Sequence, residues 1–319
     1  MFLARLAAIV VLASFALIAH AQPWPAKSVR WIVPYPPGGS TDIATRPVAE
    51  RVGQALGGHS AVVENRAGAS GNMGIEAAAK AVPDGYTVLV APDAIASNPH
   101  LYKVGFDPFR DFVPVIQLAR QPVVLAAHPS LGVSSVAELV ALARQKPGLG
   151  FATSGAGSQQ HMAGEWFAKI AGIQLTHVPY KGGGQAIADL VGGQVPLGSL
   201  GSSPLIPHYK AGKLKLLAQS TATRAPSLAD VPTYQEAGVP GLVIEQWLAV
   251  FVPAGTPAPI VQRLNAEIGK ALGELGIRER YAQAALEPVG GSPENLARLL
   301  REDYEKYGRL IKELGIRAD

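Results

Sequence analysis

The chain has 319 residues, 48% hydrophobic and 16% charged, which is apolar volume enough for two cores and excludes a disordered chain. Its formal charge of +4 is spread over scattered lysines and arginines, without the basic stripe that a nucleic-acid partner requires. It has no cysteine, which excludes disulfides, thiolate metal sites and a lipid-bearing cysteine.

Residues 1–21 run from Arg5 through the apolar stretch Leu6 to Ile18 to the small-residue end Ala19-His20-Ala21, the order of a secretory signal peptide. The apolar run is short of the about 20 residues of a spanning helix, and Gln22-Pro23-Trp24-Pro25 breaks any helix that follows. The expected mature chain starts at Gln22 in the periplasm. Next comes Trp31-Ile32-Val33-Pro34-Tyr35-Pro36-Pro37-Gly38-Gly39-Ser40-Thr41-Asp42, an apolar strand, a proline-stiffened bend, a glycine pair and a helix start. The prolines keep the segment extended, so the turn is expected on Gly38 and Gly39 at positive φ, with Ser40 or Thr41 capping a helix whose apolar Ala44, Val48, Val52 and Leu56 recur every four residues. Such a loop aims free N–H groups and a positive helix end at one point, which suits an anion.

Short strands are expected at 29–33, 60–64, 87–90 and 113–118, with helices at 42–56 and 73–81, an alternation that predicts a mainly parallel sheet. A second set follows: strands at 122–127, 149–152, 175–179, 195–200 and 214–219, helices at 134–145, 159–171, 184–192 and 203–211. Residues 122–129 with the helix at 136–144 are echoed by 246–253 with the helix at 258–272, and each strand of the echo is a candidate crossing between domains. The expected first domain is therefore 22–120 plus 246–319, including the amphipathic helices at 259–273 and 293–314, and the second is 121–245, joined by a two-segment hinge.

Three more glycine loops, at 65–74, 153–161 and 179–185, give two amide-rich loops per domain, all expected at one cleft outside the strand ends. Thr153, Ser154, Ser158 and Tyr180 are neutral donors that serve either a ligand or their own helices. Lys181 either pairs with a carboxylate or lies on the surface, and His161 either donates into the cleft or is structural. Tyr35 and Trp247 are candidates for stacking on a ligand or for the core. The chain has no Gly-x-Ser-x-Gly, no Gly-x-x-x-x-Gly-Lys and no His-Glu-x-x-His, so the reading is a site for holding, with no cofactor and no metal.

Tyr-Pro-Pro-Gly-Gly-x-x-Asp at 35–42, Glu-Asn-Arg-x-Gly-Ala-x-Gly-Asn at 64–72, Pro-Asp-Gly-Tyr-Thr at 83–87, Val-Pro-Tyr-Lys-Gly at 178–182, Gly-Gly-Gln-Val at 192–195 and Pro-Ala-Gly-Thr-Pro at 253–257 resemble the Bug family of periplasmic binding proteins. The resemblance covers the mature chain in order. It implies an α/β, two-domain, type II-like Venus flytrap with a hinge of two crossing segments, acting as a monomer and not as an enzyme. It further implies capture of a small carboxylate and delivery to a membrane permease of the tripartite tricarboxylate type. The expected ligand-binding residues are Pro37, Gly38, Gly39, Ala69 and Gly71 on one side and Thr153, Ser154, Ser158, His161 and Tyr180 on the other. Tyr35, Ser40, Asp42, Asn72 and Lys181, from the same segments, complete the set.

Two places depart from the family pattern: Ser199-Leu200-Gly201, where an acidic strand end is frequent, and Ala91-Pro92-Asp93, where a small hydroxyl is usual. The apolar Leu200 favours a ligand with an uncharged far half, or a dicarboxylate held by neutral donors, over an amino acid. Asp93 is the residue that would reverse this by receiving an ammonium. A sensor that docks on a receptor, and a hydrolase built on Ser154 and His161, are the competing readings.

Overall fold

The computed structural model describes residues 24–58 and 61–317, so the leader and the start at Gln22 lie outside the described residues. Apolar runs punctuated by glycine, proline and aspartate become ten strands: β1 Val29–Val33, β2 Ala61–Asn65, β3 Thr87–Pro92, β4 Phe112–Ala127, β5 Leu149–Thr153, β6 Leu175–Pro179, β7 Leu197–Gly201, β8 Lys215–Gln219, β9 Glu245–Pro253 and β10 Glu287–Gly290. Helices lie between them, and the side chains of Ser135, Ser158 and Ser292 cap three of these.

The strands follow one path, β2-β1-β3-β9-β4-β7-β5-β6, with β8 and β10 also paired to β4. The βαβ units are parallel, as helix-strand alternation requires: β1 with β2 and β3, and β5 with β6 and β7. The central pairings are antiparallel, β9 with β3 and β4, and β4 with β7 and β8, so the sheet is mixed where a mainly parallel one was expected. Apolar strands buried on both faces carry no record of strand direction.

β4 is a single strand of 16 residues, where two were expected, at 113–118 and 122–127. Its first part pairs with β9 as far as Pro122 against Glu245, and from Val123 onward it pairs with β7 and β8. Register shifts next to Pro114 and Gln117 bend it. The change of partner falls at Pro122, which has no N–H to give to a ladder. The chain returns beside it, with Ile244 N–H donating to Ser220 O at 3.0 Å and Glu245 starting β9. The segments 121–123 and 244–246, where crossings between domains were expected, lie side by side, and Gln121 Nε2 donates across them to Gln246 Oε1 at 2.7 Å. The two strands of the sequence echo are not equivalent: 123–127 lies on the β7 side and 246–253 on the β3 side.

The helix Pro293–Leu314 was expected to pack with the first domain and instead touches both halves. Trp247 Nε1 donates to Asp303 Oδ2 at 2.7 Å on one side, and Lys169 Nζ donates to Glu313 O at 2.9 Å on the other. One buried cluster consequently runs through Ile75, Leu89 and Phe251, Leu296 and Tyr307, and Phe151, Met162 and Phe167. The sequence reading also missed the helix Leu275–Gln283 and the short β10 that follows it.

Candidate functional site

In the first loop the turn falls on Gly38 alone, at φ +83, while Gly39 is the extended N-cap of the helix Ser40–Ala55 at φ −81, ψ 169. This corrects the expected positive φ at both glycines. Neither Ser40 nor Thr41 supplies a side-chain cap. Asp42 shapes the loop instead: its carboxylate accepts Gly38 N–H at 3.1 Å, Asn65 Nδ2 at 2.9 Å, and Arg46 Nε and Nη2 at 2.9 and 2.8 Å. Burial pushes its carboxyl up, but these donors outweigh burial and hold it below the usual carboxylate range. Asp42 is thereby occupied. The N–H groups of Gly39, Ser40 and Thr41 belong to the first turn, which has no intrahelical acceptor for them.

In the second loop Gly68, Ala69, Ser70 and Gly71 all have positive φ, of +138, +48, +53 and +90. Their conformation is held through Ser70 O, which accepts from Tyr35 Oη at 3.0 Å and Asn98 Nδ2 at 2.9 Å, and Asn98 Nδ2 also reaches Asn72 Oδ1 at 2.6 Å. A Cβ on Gly71 would lie 2.9 Å from Tyr35 Oη. This loop therefore stands one layer behind Tyr35. Burial, then Asp93 and Tyr102, raise the Tyr35 phenol far above its ordinary range, so it serves as a neutral donor.

Across the cleft, Ser154 N–H donates to Gln160 Oε1 at 2.9 Å, and Ser158 Oγ caps its helix by accepting His161 N–H while donating to Gly155 O at 2.8 Å. Thr153 Oγ1 lies 2.7 Å from His177 Nε2. His161 Nδ1 accepts Gly157 N–H at 3.1 Å, which places its proton on Nε2, facing Glu165 Oε1 at 3.6 Å, and the ring stacks on His177 at 3.5 Å. Tyr180 Oη donates to Asp189 Oδ2 at 2.7 Å, and Lys181 is exposed. Among the described residues no Ser154–His161 hydrogen bond forms.

These loops meet around a small cavity. Five of the expected residues line it: Tyr35, Gly39, Ser40, Ser154 and Ser158. Pro37, Gly38, Asp42, Ala69, Gly71, Asn72, Thr153, His161, Tyr180 and Lys181 are not part of its lining. Thr41, Gln160 and Gly183, from within the glycine loops, and Pro92, Asp93, Ile187, Leu200, Gly201, Pro204 and Gln246 complete it. Ile187 comes from the helix Gly183–Val191 and Pro204 from the turn Ser203–Leu205, while Pro92, Asp93, Leu200, Gly201 and Gln246 come from strand ends, where the sequence signal was a departure from a family pattern or, for Gln246, a polar residue heading an apolar strand.

No lysine, arginine or histidine lines the cavity among the described residues. Its positive potential comes from the N-termini of the helices Ser40–Ala55, Gln159–Ala171 and Gly183–Val191, each of which has a residue of its first turn or cap in the lining. The halves are in contact around it: Tyr102 Oη donates to Ala156 O at 3.1 Å, and a Cβ on Gly182 would lie 2.5 Å from Pro36 Cδ.

Comparison with known proteins fits this arrangement. Residues 44–316 match the model of the tripartite tricarboxylate transporter family receptor. The protein BugT of Bordetella pertussis is 34% identical over 318 residues, covering 98% of this chain and 97% of that one. Rpa4515 of R. palustris, solved with adipate, superposes with a TM-score of 0.89 at 37% identity, over 93% of this chain and all of its own. MatC of Rhodopseudomonas palustris, solved with malate, gives 0.84 at 30% identity over 90% of this chain. The chain has the α/β fold of periplasmic solute-binding proteins and belongs to the tripartite tricarboxylate transporter receptor family.

Proposed function

We propose that this protein captures a small aliphatic dicarboxylate in the periplasm, closes its two halves on it about the 121–123 and 244–246 crossings, and delivers it to a membrane permease of the tripartite tricarboxylate type. The observation that carries this reading is the cavity between Ser40 and Ser154, bordered by three helix N-termini and walled by Pro92, Ile187, Leu200 and Pro204, without a basic side chain. Helix ends and neutral donors hold a carboxylate, and the apolar wall accepts methylenes. The adipate and malate bound by the two neighbours support the same chemistry. Export rests on the order of residues 1–21, and an intact mass of periplasmic protein beginning at Gln22 is the expected result. The binding reading is tested by calorimetry with adipate, malate and succinate on protein purified without refolding. Ligand at 100 times its dissociation constant is expected to stabilise the fold by about 2.7 kcal/mol. Absence of binding to all three, with leucine or glucose bound instead, refutes the reading.

A further inference from the structure

Asp93 stands apart from the rest of the cavity. It is 1% exposed, it lines the cavity, and its Oδ2 has no hydrogen-bond partner. A buried polar oxygen without a partner is costly, and on a residue that lines a binding cavity it is a natural partner for a ligand. Resting on the carboxylate reading above, we infer that Asp93 is the specificity residue for the far end of the ligand, where its neutral carboxyl donates a hydrogen bond to a second carboxylate.

The surroundings of the Asp93 carboxyl favour its neutral form. On the Pro293–Leu314 helix, Asp303 accepts Trp247 Nε1 and Tyr307 Oη, each at 2.7 Å, with Lys306 Nζ at 3.9 Å. Asp303 is thus the better-solvated member of the pair. Asp93 has only backbone N–H groups, those of Trp247, Ala94 and its own. Burial first, and the Asp303 charge second, hold the Asp93 carboxyl well above the usual carboxylate range. The other titratable groups coupled to Asp93 are Tyr35 and Tyr307, both raised by burial and both neutral. From the second half the lining presents only Ser154, Ser158, Gln160 and apolar groups, so no cation meets Asp93 there. A ligand carboxylate beside an ionised Asp93 would be repelled, whereas beside the protonated acid it accepts a short hydrogen bond.

The test uses adipate, hexanoate and 6-aminohexanoate, which share a six-carbon chain and differ at the far end, on the wild type and Asp93→Asn. Expected are adipate binding at least tenfold tighter than either analogue, at least a tenfold loss of adipate affinity in the wild type from pH 6 to pH 9, and a flat profile in Asp93→Asn, whose amide still donates. Tighter binding of 6-aminohexanoate, with loss of that binding in Asp93→Asn, overturns the inference in favour of an ionised Asp93 holding an ammonium. If none of the three acids binds, the dicarboxylate reading fails, and the ligand-free protein decides the inference. There a neutral Asp93 makes wild-type melting temperature fall relative to Asp93→Asn as pH rises above 4, because the folded state holds a proton that the unfolded chain releases. Parallel curves for the two proteins overturn it.

Discussion

Replacing Gly182 by alanine would put a methyl carbon 2.5 Å from Cδ and 3.2 Å from Cγ of Pro36, well inside the 3.5–4.0 Å of an ordinary carbon contact. Gly182 has φ 166 and ψ 165, an extended conformation open to alanine, so its own backbone carries no penalty. Pro36 lies in the first half and cannot rotate away, since its ring fixes the local chain. The overlap is relieved by moving the halves apart by about 1 Å. Overpacking of this kind costs about 1–3 kcal/mol, and here it falls on the closed form alone. The expected result is adipate binding about 5- to 160-fold weaker than wild type, with the ligand-free melting temperature within a degree or two. Gly273→Ala, which meets nothing within 4 Å, serves as the control and is expected to bind normally. A folded Gly182→Ala protein with adipate affinity within threefold of wild type would show that the observed contact does not form in the bound state.

The two glycines of the first loop are expected to behave differently. Gly38→Ala forces a side chain into φ +83 and should cost about 1–2 kcal/mol of stability by urea unfolding, whereas Gly39→Ala, at an extended N-cap, should cost less and weaken adipate by filling the cavity. Equal loss of stability in both would contradict the assignment of the turn to Gly38. Acid sensitivity is expected from His177, which burial first and the adjacent His161 second hold at about 3, far below its ordinary 6.5. Because the folded pKa is depressed, the unfolded chain binds the proton first, so stability is complete above 6.5 and falls as pH drops toward 3. Between pH 7 and 5 the loss should be about 2 kcal/mol in the wild type and smaller in His177→Gln; identical slopes in chemical denaturation would count against it.

The sequence by itself determined the local elements, because burial periodicity and turn chemistry are written residue by residue. The helix at 159–171 and the strands at 29–33 and 175–179 have the limits that were expected. It also determined that glycine loops gather at strand ends beside helix N-termini, since a proline-stiffened bend leaves few other places for the chain to turn. Tertiary structure decided what those loops face. Separate strands were expected at 113–118 and 122–127, yet β4 runs through both and exchanges β9 for β7 and β8 at Pro122. Asp42, Asn72 and His161 carry polar groups that sequence assigns to a ligand, and packing turns them inward to Gly38, Asn98 and Gly157. Asp93, Leu200 and Gln246 lie far apart in the chain and meet only because β3, β7 and β9 converge on β4 or its neighbour, and convergence of that kind depends on long-range pairing that no local pattern encodes.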